Sequence, residues 1–256
     1  MNVTTQELNA ALAGIEYERV ELAGGRAVLY RGDCLELLAA GVLGASDVLV
    51  TDPPYGIRNR YGTVKRPSGR RTMEFDFDKR NGVREDVRDG VRGCVRLLNA
   101  PRAAFVFCGT DTLEYVRSEL VASGMTTKPF AWTKAHPPPP MPGNWWPSAF
   151  ELALYAFDSG AWFGDNANHK RRNVYHGDSL RNGNREKVPH PTQKPLHLMK
   201  YIVSSMVRPG ATVLDPYMGS GSTGVAALQS GRRFVGVEIE QRHFDTACRR
   251  IEAVGL

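Results

Sequence analysis

The stretch Ala211–Leu228, "ATVLDPYMGSGSTGVAAL", decides the fold. An apolar strand-like run gives way to Asp-Pro-Tyr-Met, then to glycines at 219, 221 and 224, then to an apolar helical run. Strand, glycine turn and helix together satisfy GxGxxG, and Glu238 lies at the end of the next strand-like run, "RRFVGVEIE". On spacing alone this is a dinucleotide-binding fingerprint: glycines permit the tight turn, and a helix N-terminus presents N–H groups to a ligand. A glycine turn kept only for helix packing leaves the same trace. No lysine follows the glycines, so the loop is not a P-loop.

The same alternation extends outward. "RAVLYRGD" (Arg26–Asp33), "DVLVTD" (Asp47–Asp52) and "RAAFVFCG" (Arg102–Gly109) read as strands. "CLELLAAGV", "REDVRDGVRGCVRLL", "DTLEYVRSELVASG", "PLHLMKYIVSSMV" and "RHFDTACRRI" read as helices. In the second helix Val87, Val91, Val95 and Leu98 fall at helical spacing. Near the N-terminus "TQELNAALAGI" is a further short-helix candidate. A continuous apolar strand such as "DVLVTD" suits a parallel sheet buried on both faces. The expected fold is α/β, a Rossmann-like doubly wound, mostly parallel sheet. From Thr126 to Val188 the texture turns irregular, rich in proline, tryptophan and basic residues, with "FELALYAF" as one strand inside it. Three parts result: 1–125, 126–188 as an inserted or appended module, and 189–256.

Composition bounds the function. The 256 residues can bury a core without disulfides or metals. The formal net charge is +6, which suits a polyanionic partner or simply a solvated basic surface. Four scattered cysteines form no CxxC, so no zinc or thioredoxin-like motif is expected, and a reducing cytoplasm is the simplest setting. The sequence has no secretory signal pattern and no apolar run of membrane-spanning length.

Charge narrows the ligand of the glycine turn. Asp215 directly precedes the turn, and a carboxylate there would repel a pyrophosphate. It would suit a ligand carrying an ammonium group. S-adenosylmethionine has an ammonium for Asp215 and a ribose diol for Glu238. Asp215 as a plain turn or capping carboxylate is the alternative.

Taken together, these segments resemble the β-class S-adenosylmethionine-dependent DNA amino-methyltransferases. "TDPPYG" (Thr51–Gly56) looks like the catalytic motif, "HPTQKP" (His190–Pro195) like the motif before the first cofactor helix, and "LDPYMGSGSTG" like the cofactor loop. "GVEIE" looks like the ribose-binding strand end, and "YRGDCLELL" like the segment before the catalytic strand. The catalytic strand precedes the glycine loop, the circularly permuted order of the β-class. Tyr217 stands where the family more often has phenylalanine.

The resemblance implies a class I methyltransferase domain with 126–188 as a small target-recognition region. It implies that Asp52 and the Pro53 carbonyl accept the N–H bonds of an exocyclic amine, with Pro54 stiffening the turn and Tyr55 stacking on a flipped base. It implies cofactor contacts from Asp33, Asp52, Thr192, Lys194, Asp215, Pro216, Tyr217, Gly219, Ser220, Gly221, Thr223, Glu238 and Ile239. Asp33 also suits a helix N-cap, and Thr192 and Lys194 are candidates for the cofactor's carboxylate or for a plain helix entry. Arg58, Arg60, Lys65, Arg66, Arg70 and Arg71 form a basic loop after the motif, and His169, Lys170, Arg171 and Arg172 a second basic run. Both are candidates for DNA phosphates, as against solvated loops. Trp132, Trp145 and Trp146 are assigned to the core rather than to a base platform.

In the family resembled, aspartate at the first motif position accompanies adenine N6, so the resemblance implies that target, with cytosine N4 as the alternative. No Pro-Cys occurs, which disfavours cytosine carbon-5 chemistry. An RNA or protein amine methyltransferase, a nicotinamide oxidoreductase and a non-enzymatic basic DNA-binding module are the rival readings. Double-stranded DNA is the expected partner; a homodimer and a cognate restriction enzyme are compatible with the resemblance. No metal is expected.

Overall fold

The computed structural model describes residues 14–54, 83–137, 139–140, 145–164, 172–180 and 183–254. The short-helix candidate "TQELNAALAGI" falls largely on residues outside them. The first half of the described chain holds β1 (Glu18–Leu22), β2 (Ala27–Arg31), α1 (Cys34–Ala39), β3 (Ser46–Thr51), α2 (Val83–Arg96), β4 (Leu98–Cys108) and α3 (Leu113–Ala122). Then come β5 (Thr126–Thr133), β6 (Phe150–Phe157) and β7 (Val174–His176). The chain closes with α4 (Leu196–Met206), β8 (Thr212–Asp215), α5 (Ser222–Gln229), β9 (Arg233–Glu238) and α6 (Gln241–Glu252).

All these strands join one sheet in the order β1-β2-β9-β8-β3-β4-β6-β5-β7. From β2 through β4 neighbouring strands are parallel; β1 with β2 and β6 with its two neighbours are antiparallel. Helices α1, α2 and α3 pack along one face, and α4, α5 and α6 along the other. The apolar spacing of each helix explains its side. Val87, Val91 and Val95 of α2 are 1% exposed and meet Leu49 and Leu214 of the sheet. Leu198, Met199 and Ile202 of α4 pack from the opposite side with Val225 and Phe244. Each such aliphatic side chain contributes roughly 1.5–3 kcal/mol on burial. Leu98, read at the end of the α2 spacing, instead opens β4.

The stretch 126–188 departs from the expectation of a module with a single strand. It supplies β5, β6 and β7, and β6 lies between β4 and β5 in the common sheet. Pro129 masks β5 in the sequence because proline cannot donate to a ladder. Its carbonyl accepts from the Asn173 amide at 3.1 Å, so its nitrogen faces away from β6 and no bond to β6 is lost. Among the described residues, no helix is long and apolar enough to cross a membrane.

Candidate active site

β3 and β8 are parallel neighbours, with Val48 opposite Val213 and Leu49 opposite Leu214. The chain leaves them in opposite directions, β3 through α2 to β4 and β8 through α5 to β9. Open α/β sheets bind ligands beyond the strand ends at such a reversal. Here the two strand ends carry Asp52 and Asp215.

A cleft of ≈ 730 Å³ opens above them, within the range of small-molecule sites. It brings together Asp33, Asp52, Pro53 and Pro54 with Thr192, Lys194, Asp215, Pro216, Tyr217, Gly219, Ser220, Thr223, Glu238 and Ile239. These are the sequence candidates on both sides of the glycine turn. Gly221, also a candidate contact, does not line the cleft. It is the N-cap of α5 at φ 77°, and a Cβ there would lie 3.0 Å from the Ala247 Cβ. Its place is dictated by the left-handed turn and by the approach of α6.

Asp215 is 2% exposed. Thr51 Oγ1 donates to its Oδ1 at 2.7 Å, Thr223 Oγ1 to its Oδ2 at 2.6 Å, and the Tyr217 N–H to Oδ1 at 3.2 Å. Burial pushes its pKa up to about 6, against the pull of those donors. Glu238 ends β9 and accepts the Glu240 N–H at 2.7 Å; burial pushes its pKa up to about 7. Two carboxylates that are costly to ionise therefore face one cleft, a condition that a donor-rich or cationic ligand relieves.

Asp33 caps α1, its Oδ1 accepting the Leu35 N–H at 2.8 Å. The Tyr217 hydroxyl donates to the Asp86 carbonyl at 3.5 Å, so its ring also packs against α2. Gly219 sits at φ 52°, and a Cβ there would lie 2.8 Å from His190 Nε2. The His190 ring stands 4.4 Å from that of His243. Burial, helped by His243 and Lys187, lowers the His190 pKa to about 3, so this ring is neutral.

The acid side of the cleft holds an arrangement that sequence reasoning did not find. Lys194 Nζ donates to Asp52 Oδ2 at 2.5 Å and lies 3.2 Å from Glu151 Oε2. Lys134 Nζ donates to Glu151 Oε1 at 2.7 Å. Burial works against the charge on Lys194, but Asp52 and Glu151 more than offset it and raise its pKa. Burial alone would raise Glu151, yet Lys194 and Lys134 hold it below the ordinary carboxylate range. The only trace in the sequence is an acid inside the apolar "FELALYAF" and a lysine directly after "FAWT".

Other candidates lie elsewhere. Tyr55, Arg58, Arg60, Lys65, Arg66, Arg70, Arg71, His169, Lys170 and Arg171 lie outside the described residues. Arg172 is exposed, and its carbonyl accepts the Tyr201 hydroxyl at 3.1 Å. Trp132 is core, 2% exposed, with Nε1 donating to the Gly177 carbonyl. Trp145 and Trp146 are not: they are 93% and 86% exposed.

A family model described as DNA methylase matches residues 46–249. The chain is 25% identical over 242 residues to Type II methyltransferase M2.DpnII of Streptococcus pneumoniae, covering 88% of this chain and 90% of that protein. It is 26% identical over 248 residues to Type II methyltransferase M.HinfI of Haemophilus influenzae, covering 88% and 68%. Among solved structures it resembles an M1.HpyAVI–SAM complex with a TM-score of 0.68 at 28% identity, over 87% of this chain and 98% of that one. The fold is shared with the cytosine-N4-specific PvuII DNA methyltransferase, with a TM-score of 0.66 at 16% identity over 88% and 86%.

Proposed function

We propose that this chain, which belongs to the DNA methylase family, transfers the methyl group of S-adenosylmethionine to the N6 amine of an adenine flipped out of duplex DNA. The observation that carries this reading is the meeting of Asp52 and the Asp215 turn at adjacent strand ends, tied by the Thr51–Asp215 hydrogen bond of 2.7 Å. An amine acceptor and a cofactor turn then stand about 5 Å apart, one strand spacing.

The cleft's residues fit the cofactor, which supplies an electrophilic methyl on a sulfonium. Asp215 suits its ammonium, Glu238 the ribose hydroxyls and Asp33 the adenine amino group. Thr192, exposed at the rim, suits the carboxylate. Asp52 and the Pro53 carbonyl accept the two N–H bonds of the target amine, which exposes the nitrogen lone pair. The same oxygens stabilise the positive charge that grows on nitrogen. The excess proton leaves after transfer. Pro53 and Pro54 fix φ and hold the preceding residues extended, so the acceptors are aimed before the base arrives. Tyr55 provides the stacking face, and extrusion of the base costs about a few kcal/mol.

Adenine is favoured by Asp52 through the family resemblance. The fold does not choose, since a cytosine-N4-specific enzyme shares it. The basic loop from Arg58 to Arg71 and the run from His169 to Arg172 supply phosphate contacts, and the strands and loops of 126–188 read the target. The Type II names of two relatives favour a cognate restriction enzyme, and the cytoplasm is the setting. Incubation with methyl-tritiated cofactor tests the reading: label is expected in plasmid DNA, and label confined to RNA or protein would refute it.

The two raised carboxylates give cofactor binding a pH dependence. Asp215 and Glu238 take up protons near pH 6 and 7, and only the ionised forms attract an ammonium or accept both diol hydrogens. Affinity should therefore weaken as pH falls from 7.5 to 5.5. The ligand-free protein should move the other way. At these two carboxylates the folded state binds more protons than the unfolded chain between the ordinary carboxylate range and pH 7, so their contribution to stability falls as pH rises through that window, against the opposite and smaller pull of the neutral His190. Calorimetric titration and thermal melting across this range check both directions.

A further inference from the structure

The side chain of Lys194 is only 9% exposed and faces two carboxylates. With Asp52, Glu151 and Lys134 it makes a row of alternating charges that sums to zero. Its ammonium also lies 4.8 Å from the centre of the Phe107 ring. The backbone bearing it is tied down on both sides. Gln193 accepts the Val188 N–H at 2.9 Å and donates to the Glu186 carbonyl at 2.8 Å. Beyond Pro195, the Leu196 N–H donates to Glu186 Oε1 at 2.7 Å. Glu151 is held in β6 opposite Trp132 of β5, and Lys134 follows β5 directly.

We propose that Lys194 is a positioning residue for Asp52: clamped by Glu151 and balanced by Lys134, it fixes the direction and charge of the amine-accepting carboxylate rather than binding the cofactor's carboxylate. The inference rests on reading Asp52 as the acceptor in methyl transfer. A further carboxylate on this ammonium would leave a buried group with net negative charge, which is costly. The row has a second use. Lys194 alone would cancel the acceptor and oppose positive charge growing on the target nitrogen. Glu151 draws part of that cation away, and Lys134 keeps Glu151 ionised. Asp52 also feels Asp215 at the end of β8 and Cys108 at the end of β4. Among the described residues Lys194 meets it as a cation, at 2.5 Å.

The test uses the full chain as Lys194→Met, as Glu151→Gln and as the double variant. Cofactor Kd is measured by calorimetry and single-turnover methyl transfer to DNA across pH. In Lys194→Met the rate should fall by about 10²-fold, as for a misaimed catalytic group, while Kd stays within about threefold. The acid limb of the rate should move to higher pH, because Asp52 then feels the charge of Glu151 without the cation between them. Adding Glu151→Gln removes the second acid; it should recover part of the rate and return the limb, an effect a merely structural role does not give. A tenfold loss of cofactor affinity with the acid limb unmoved overturns the proposal, as does a double variant no better than the single one. If Lys194→Met does not fold, Glu151→Gln alone should lower the rate at constant Kd, and a wild-type rate there overturns it. Absence of transfer to DNA by the wild-type protein would refute the functional reading instead. Carbon-13 titration of the Asp52 and Glu151 carboxyls then decides the network: their titration should move upward in Lys194→Met, and no movement overturns the proposal.

Discussion

Replacing Asp52 with alanine should lower single-turnover methyl transfer by about 10²–10³-fold, the scale of losing one preorganised charge-stabilising group. Cofactor affinity should stay nearly unchanged, because the acids that suit the cofactor's adenine, ammonium and ribose, Asp33, Asp215 and Glu238, come from other strand ends. The fold should survive as well. Without Asp52 the buried Lys194 keeps Glu151 at 3.2 Å, so its charge is not stranded. A drop in affinity equal to the drop in rate would make Asp52 a binding residue; full activity would remove it from the mechanism.

Replacing Glu238 with alanine should have the converse effect, weakening cofactor binding about 10²-fold, with the rate at saturating cofactor little changed. Two hydrogen bonds from the ribose diol to a carboxylate are lost, each worth about 1.5–3 kcal/mol, and water filling the space of the truncated side chain restores part of that. Glu238 also accepts the Glu240 N–H at 2.7 Å, so the alanine variant loosens the entry to α6. Glu238→Gln separates the two roles, since an amide oxygen still holds that N–H while the charge is gone. It should melt like the wild type yet bind the cofactor about tenfold more weakly. Equal affinities in all three proteins would detach Glu238 from the cofactor.

The features that read well from the sequence are those fixed by local backbone chemistry. Glycines at 219 and 221 take positive φ, so the turn is written in the residues that tolerate it. Val87, Val91 and Val95 mark the buried side of α2 because one helix sets their spacing. The doubly wound sheet followed from the alternation of strands with helices. What escaped depends on partners far apart in the chain. Asp52 meets Lys194 across 142 positions, and neither residue foretells the other. Glu151 looks like an ordinary acid in a strand until β6 is placed beside β4 and β5. β5 hides behind Pro129, whose missing donor matters only on one side. Trp145 and Trp146 resemble core residues by composition, yet no element among the described residues covers them. The basic run after the catalytic motif is legible only as charge.

The central claim is that Asp52, Pro53 and Tyr55 prepare an exocyclic amine of DNA for methylation, and that this amine is adenine N6. The most direct measurement is mass spectrometry of nucleosides from unmethylated plasmid DNA incubated with the protein and S-adenosylmethionine. N6-methyladenine is the predicted product, formed about 10²–10³-fold more slowly when Asp52 is alanine. N4-methylcytosine as the sole methylated nucleoside would contradict the adenine assignment, and unmodified DNA would contradict the account as a whole.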